Sequence, residues 1–386
     1  MMYFSGSRTH LLCNFYKKQM SFLNMGIDPG KFKVFISTLL IILSFISGCS
    51  DDPFEKECDT ESYFHIKNED YIIPLLVRGN TNSGKIIIYV QGGPGINSLD
   101  FAVIDYPEWK ESLEKEYAVA YYDQRSTGTG QGNFDTSSIS LSMYIEDLDA
   151  VAKFLGAAYN AEIIMLGHSF GGALIYRYLI EKGENAAASK YISADGPASN
   201  DRDSLRWIFR REFLFNTANI EIERERNTKK WNEVLDWLNK HPVIEDIPGN
   251  DPWKDKDQWN EYVDDLIYPY YSEKSLSLSD LFRALILSPY NPLPAYFGSK
   301  FDFDAVKRIF TAIYDYPLTE NLSEINQDIL LITGRYDDIC PPEEMEFIYN
   351  SISSPIKQLE IIDDAGHESF IHQPDIFFNV VKKFVK

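Results

Sequence analysis

Apolar residues along the chain fall into short runs broken by turn residues, and the spacing within and between the runs sets the elements. "SYFHIK" (62–67) and "YIIPLLVRG" (71–79), separated by "NED", predict an opening hairpin. "KIIIYVQGG", "YAVAYYDQR", "EIIMLGHS", "KYISADG", "DILLITG" and "KQLEIIDD" are near-continuous apolar runs of strand length, the pattern of strands buried on both faces. Helical patterns lie between several of them, at about 140–156, 171–183, 341–352 and 369–385. Strand-helix alternation of this kind argues for an α/β architecture, a mostly parallel central sheet flanked by helices.

The alternation stops between Asp195 and about Leu322. Five of the six tryptophans (207, 231, 237, 253 and 259) fall in that region, together with helical charge runs such as "IEIERERNTKKWNEVLDWL" and the proline-broken "SPYNPLPAYF". It reads as a helical cap inserted after one strand, its charge runs forming a solvated face. The chain therefore divides into a leader at 1–48, a first core part at 49–195, the cap at 196–322 and a second core part at 323–386.

The leader changes the picture of where the protein works. Lys31 and Lys33 precede the apolar run "VFISTLLIILSFISGCS", short for a membrane span and of the length of a secretory signal core. It ends in Ile46-Ser47-Gly48-Cys49, which resembles the lipobox of bacterial lipoproteins; that resemblance implies lipidation of Cys49, export to the cell envelope and membrane anchoring through the acylated cysteine. A short transmembrane anchor with an incidental cysteine is the other reading. Met25 would give the signal a normal length, with residues 1–24 an over-long start.

Length, charge and cysteine usage narrow the rest. A chain of 386 residues with 44% hydrophobic content can bury a large core, and one large domain with an insertion fits it. The formal charge of -21 repels phosphate backbones and argues against nucleic acid as a partner. Beyond Cys13 and Cys49 only Cys58 and Cys340 remain, at no spacing that recommends a disulfide or a metal site, and no cofactor is implied.

The candidate chemistry starts where "EIIML" runs into Gly167-His168-Ser169-Phe170-Gly171. Gly-x-Ser-x-Gly between a strand and a helix is the nucleophile elbow, a turn so sharp that side chains at the flanking positions would collide. Serine needs a base, and the base an orienting acid. After Ser169 the histidines are His241 in the cap, His367 in the loop "DDAGHESF" after the last strand, and His372 in the final helix; His367 is the expected base. After "DILLITG" two adjacent aspartates follow, and Asp337 is the expected acid, with Asp338 a helix-start residue. An oxyanion needs backbone donors, expected from Phe170 and from Gly93, with Gly92 as second choice.

"GGPG" at 92–95, "YDQRSTGTG" at 122–130, "GHSFGG" at 167–172, "GRYDDICP" at 334–341 and "GH" at 366–367 together resemble the α/β-hydrolase fold and, within it, the proline iminopeptidase (prolyl aminopeptidase) family. The resemblance covers about residues 60–386, the cap matching only in position and size. It implies Ser169 as nucleophile, Asp337 as acid, His367 as base, and Gly93 with Phe170 as oxyanion hole. Gln91, Ser126 and Phe170 stand where the family usually has histidine, glycine and tryptophan, and none of these differences removes a catalytic group. The implied activity is a serine hydrolase, an aminopeptidase releasing proline or another N-terminal residue from small peptides. A carboxylesterase on small acyl esters is the alternative, and a non-catalytic binding lipoprotein a third. In the resembled family, cap carboxylates bind the substrate amine, and Glu212 in "LRWIFRREFLF" is the candidate here, against the plainer reading of an exposed charge beside an arginine.

Overall fold

Residues that alternate between two apolar faces make the sheet. The computed structural model describes residues 61–94, 98–99, 102, 109–125, 127, 131–132, 136–199, 204–241, 261–270, 308–309, 312 and 318–386; the leader, Cys49 and Cys58 lie outside them. Strands β1 (Ser62–Asn68), β2 (Tyr71–Gly79), β3 (Lys85–Val90), β4 (Ala118–Tyr122), β5 (Gln131–Gly132), β6 (Glu162–His168), β7 (Lys190–Ala194), β8 (Ile329–Gly334) and β9 (Lys357–Ile362) form one sheet. Its order is β1-β2-β4-β3-β6-β7-β8-β9, with β5 paired to β2. The hairpin β1/β2 and the β2/β4 pair are antiparallel, and every pair from β4 to β9 along that order is parallel. Parallel neighbours cannot be joined by a tight turn, so helices must cross between them and cover both faces.

One face, carrying Ile86, Ile88, Val90, Met165, Tyr191 and Leu331, packs against α1 (Leu141–Tyr159), α2 (Phe170–Lys182) and α5 (Pro342–Ser351). The other, carrying Ile87, Tyr89, Ile164, Leu166, Ile192 and Leu330, packs against Trp109, Leu113 and α6 (Pro374–Val385). The continuous helix expected at 369–385 is two pieces, a turn at Ser369–His372 and then α6. Pro374 has no N–H to give an existing helix and a φ suited to starting a new one.

The chain leaves the sheet after β7 and returns to it at β8. Between them α3 (Ser204–Glu223) and α4 (Thr228–Lys240) pack with Val263, Leu266 and Ile267 around the buried Trp231. Tyr336, from the loop after β8, is buried in that same cluster, so the cap and the sheet share a residue.

Candidate active site

Ser169 stands at the junction of β6 and α2 with φ 54° and ψ −121°. A non-glycine residue is held there at a cost of order 1–3 kcal/mol, which the surroundings must offset. The turn closes this tightly only because its neighbours carry no side chain: a Cβ on Gly171 would stand 2.0 Å from the Val90 carbonyl oxygen, and one on Gly167 2.3 Å from that of Gly171. The Ser169 N–H donates to the Ala194 carbonyl (2.9 Å), which fastens the turn to β7.

The loops after β8 and β9 bring two groups to this serine. His367 Nε2 lies 2.9 Å from Ser169 Oγ, and Nδ1 lies 3.1 and 3.0 Å from the two carboxylate oxygens of Asp337. Because a carboxylate only accepts, Nδ1 carries a proton, and in the neutral imidazole Nε2 is left to accept from the serine hydroxyl. Asp337 is fully buried, and its Oδ1 also accepts from the Ile339 N–H (2.8 Å) and Cys340 N–H (2.9 Å). Burial opposes a charge on His367, but the Asp337 charge and hydrogen bond outweigh it and raise the imidazole to about 9.

The loop after β3 lies over the nucleophile, since a Cβ on Gly92 would come 3.2 Å from Ser169 Cβ. Gly93 follows with φ 121°, a conformation open mainly to glycine, and Phe170 opens α2 directly after Ser169. The "DQR" segment supports this loop from beneath: Gln124 Nε2 donates to the Gln91 carbonyl (3.1 Å). Arg125 is buried with Asp147, donating from Nε (2.6 Å) and Nη2 (3.0 Å).

Three residues that the sequence reading left without a role stand at the site. His168 is buried, and its Nε2–H donates to the His367 carbonyl (2.8 Å); burial first, then the neighbouring His367 charge, push it down to about 3, so it stays neutral. Its ring lies edge-on to Phe370, 4.9 Å between centroids. His372 Nδ1 accepts from the Gly366 N–H (3.2 Å), and burial lowers it to about 4. Asp195 is fully buried directly after β7, raised well above the usual carboxylate range by burial and by Asp337. The only hint for it in sequence was a charged residue closing an apolar strand.

Other candidates fall elsewhere. Asp338 is not a helix-start residue, because α5 begins at Pro342; burial and Asp337 push it up to about 6, opposed by Arg210. Glu212 is exposed on α3, and His241 closes α4 with Nδ1–H donating to the Trp237 carbonyl (2.9 Å). Cys340 is a buried free thiol. A histidine-activated serine beside a glycine loop is equipped for acyl transfer through a covalent intermediate.

Comparison with known proteins points the same way. A family model described as "alpha/beta hydrolase fold" matches residues 85–374. A Bacillus subtilis protein named a probable aminopeptidase is 21% identical over 326 residues, covering 81% of this chain and 92% of its own. A proline iminopeptidase of Saccharolobus solfataricus is 23% identical over 308 residues, covering 78% and 85%. The crystal structure of a proline iminopeptidase from Mycobacterium smegmatis aligns with a TM-score of 0.52 and 15% identity, covering 84% of this chain and 97% of that one.

Proposed function

The chain belongs to the α/β-hydrolase fold family, and from that premise we propose that it is a serine aminopeptidase releasing an N-terminal residue, such as proline, from small peptides. The observation that carries the reading is the relay from Ser169 through His367 to Asp337 at hydrogen-bonding distances. Ser169 Oγ attacks the scissile carbonyl as its proton passes to His367 Nε2, and Asp337 steadies the imidazolium that forms. The oxyanion accepts from the Phe170 and Gly93 N–H groups, the leaving amine takes the proton from His367, and water then releases the aminoacyl group from Ser169 by the same relay. Relatives named aminopeptidase and proline iminopeptidase support the amide bond over the ester. The lipobox-like Ile46-Ser47-Gly48-Cys49 adds anchoring of the enzyme in the cell envelope through a lipidated Cys49.

Paired substrates test the reaction class. An aminopeptidase site must pair with the substrate ammonium, so an N-acetylated aminoacyl arylamide is cleaved at least about a hundredfold more slowly than its free-amine form, near 2.7 kcal/mol in transition-state binding. Equal rates would replace the aminopeptidase with the esterase reading. For the anchor, mass spectrometry of the mature protein shows an acylated Cys49 at its N-terminus, and an unmodified Cys49 in a membrane-bound product removes that part.

A further inference from the structure

Two residues at the ends of neighbouring parallel strands share an unusual backbone: Ser169 and Asp195 both have φ 54°. The strain at Ser169 presents the nucleophile, but Asp195 touches no reacting atom. Its backbone N–H donates to the Ile332 carbonyl of β8 (2.7 Å), and its side chain is turned into the protein with no exposed surface. There Oδ1 accepts from the Gly334 N–H (3.0 Å) and Oδ2 accepts from the Ser369 hydroxyl (2.8 Å). Gly334 is the last residue of β8, three positions before Asp337, and Ser369 lies two positions after His367. One carboxyl group thus holds the base of the acid-bearing loop and the far side of the base-bearing loop together.

A buried acid in a left-handed conformation costs stability twice, through desolvation and through backbone strain. An apolar residue would fill the space without the first cost, and would leave both loops untied. The groups facing Asp195 are Asp337 and Cys340 from the acid loop, His367 from the base loop and Tyr176 from α2. With Asp337 so near, a second buried charge is disfavoured; in the neutral acid Oδ1 still accepts from the Gly334 N–H while an Oδ2–H donates to Ser369 Oγ, so the tie does not depend on a charge.

We propose that Asp195 is a positioning residue that sets the span between Asp337 and His367 by holding Gly334 and Ser369 at once. The inference rests on the triad reading, so Ser169→Ala is measured beside it. In the full-length enzyme, Asp195→Ala lowers kcat by about thirtyfold or more with KM within about twofold, as expected when reacting groups are displaced by a fraction of an ångström. Asp195→Asn stays within about threefold of wild type, because the amide oxygen accepts from Gly334 and its N–H donates to Ser369. Ser369→Ala loses about tenfold, and the Asp195→Ala/Ser369→Ala pair is no worse than Asp195→Ala, since both break one tie. The low-field NMR signal of His367 Nδ1–H weakens in Asp195→Ala and persists in Asp195→Asn, with the acid limb of its pH profile unmoved. A normal kcat in Asp195→Ala or Ser369→Ala overturns the tie. So does an Asp195→Asn as impaired as the alanine variant, which would mean that the charge matters. If Asp195→Ala fails to fold, the Asn and Ser369 variants decide alone. Activity surviving in Ser169→Ala would instead overturn the triad itself.

Discussion

The sheet edge and the cap grip the same loop, residues 334–341, by opposite means. On the sheet side the grip is backbone: the Arg335 N–H donates to the Ile362 carbonyl and the Tyr336 N–H to that of Ala365, both at 2.8 Å. On the cap side it is ionic. The Tyr336 hydroxyl donates to Glu221 (2.8 Å) and accepts from Arg224 (2.9 Å) and Arg226 (3.0 Å), while Glu221, itself fully buried, takes further bonds from both arginines. A second bridge joins Arg206 of α3 to the buried Glu344 of α5 at 2.7 Å. The backbone bonds need no particular side chain, whereas the cap grip needs the Tyr336 hydroxyl to meet the charged cluster of Glu221, Arg224 and Arg226 more than a hundred residues away. The sheet side carries Ser169, Asp337 and His367, and the cap side is tied to their acid-bearing loop through Tyr336.

The largest test of that division removes the chemistry while leaving both grips intact. Ser169→Ala, His367→Ala and Asp337→Asn each lower kcat/KM by more than about a thousandfold, and Ser169→Ala, which removes no member of the buried Asp337–His367 pair, keeps its melting temperature. A loss of fold in Ser169→Ala would show that site and scaffold are not separable. Next comes the cap grip. Glu221→Ala leaves two arginines and a tyrosine without their acceptor and destabilises the cap by about 3 kcal/mol, at the lower end for a buried network because both arginines are half-exposed. Denaturation followed by the cap tryptophans Trp231 and Trp237 then precedes loss of sheet circular dichroism; coincident transitions would mean that one grip carries both regions.

The pH profile gives a smaller effect. His367 works as a base only when neutral, and with its imidazole raised to about 9, kcat/KM climbs about tenfold per unit as pH rises towards that value and then levels. A plateau already reached at pH 7 would show that Asp337 does not dominate the imidazole. For stability the sign is opposite: the raised imidazole favours the fold below about 6.5 and that contribution is lost as pH rises to about 9. The smallest expected change is Asp338→Asn, within about threefold in rate, because Asp338 accepts nothing from His367. A loss matching that of Asp337→Asn would reassign the acid.

The same contrast explains what could be read from sequence. Ser169, Asp337 and His367 each follow an apolar run and a glycine-bearing turn, so strand ends located them, and the parallel sheet followed from the same runs. Asp195 escaped because its partners, Gly334 and Ser369, are adjacent to it only in the folded sheet. In the cap, the pattern itself misleads. On α3 the apolar Ile208 and Phe215 are exposed while Arg206, Arg210 and Glu221 are buried, so the aromatic stretch around Glu212 does not mark a buried face, and Glu212 stands exposed as its plainer reading has it. Paired charges can fill a buried position that periodicity assigns to apolar residues.

Tyr336 also marks where this molecule can be cut and recombined. A chimaera exchanging residues 196–322 for another cap would carry off Trp231, Glu221 and both arginines, yet leave behind the aromatic ring that completes their cluster. The sequence boundary of the insertion and the boundary of its packing do not coincide. Any transplanted cap therefore has to be chosen, or redesigned, around side chains that stay with the acceptor scaffold, Tyr336 and Glu344 among them, and residue 336 must be varied together with the cap rather than with the catalytic loop it sits in.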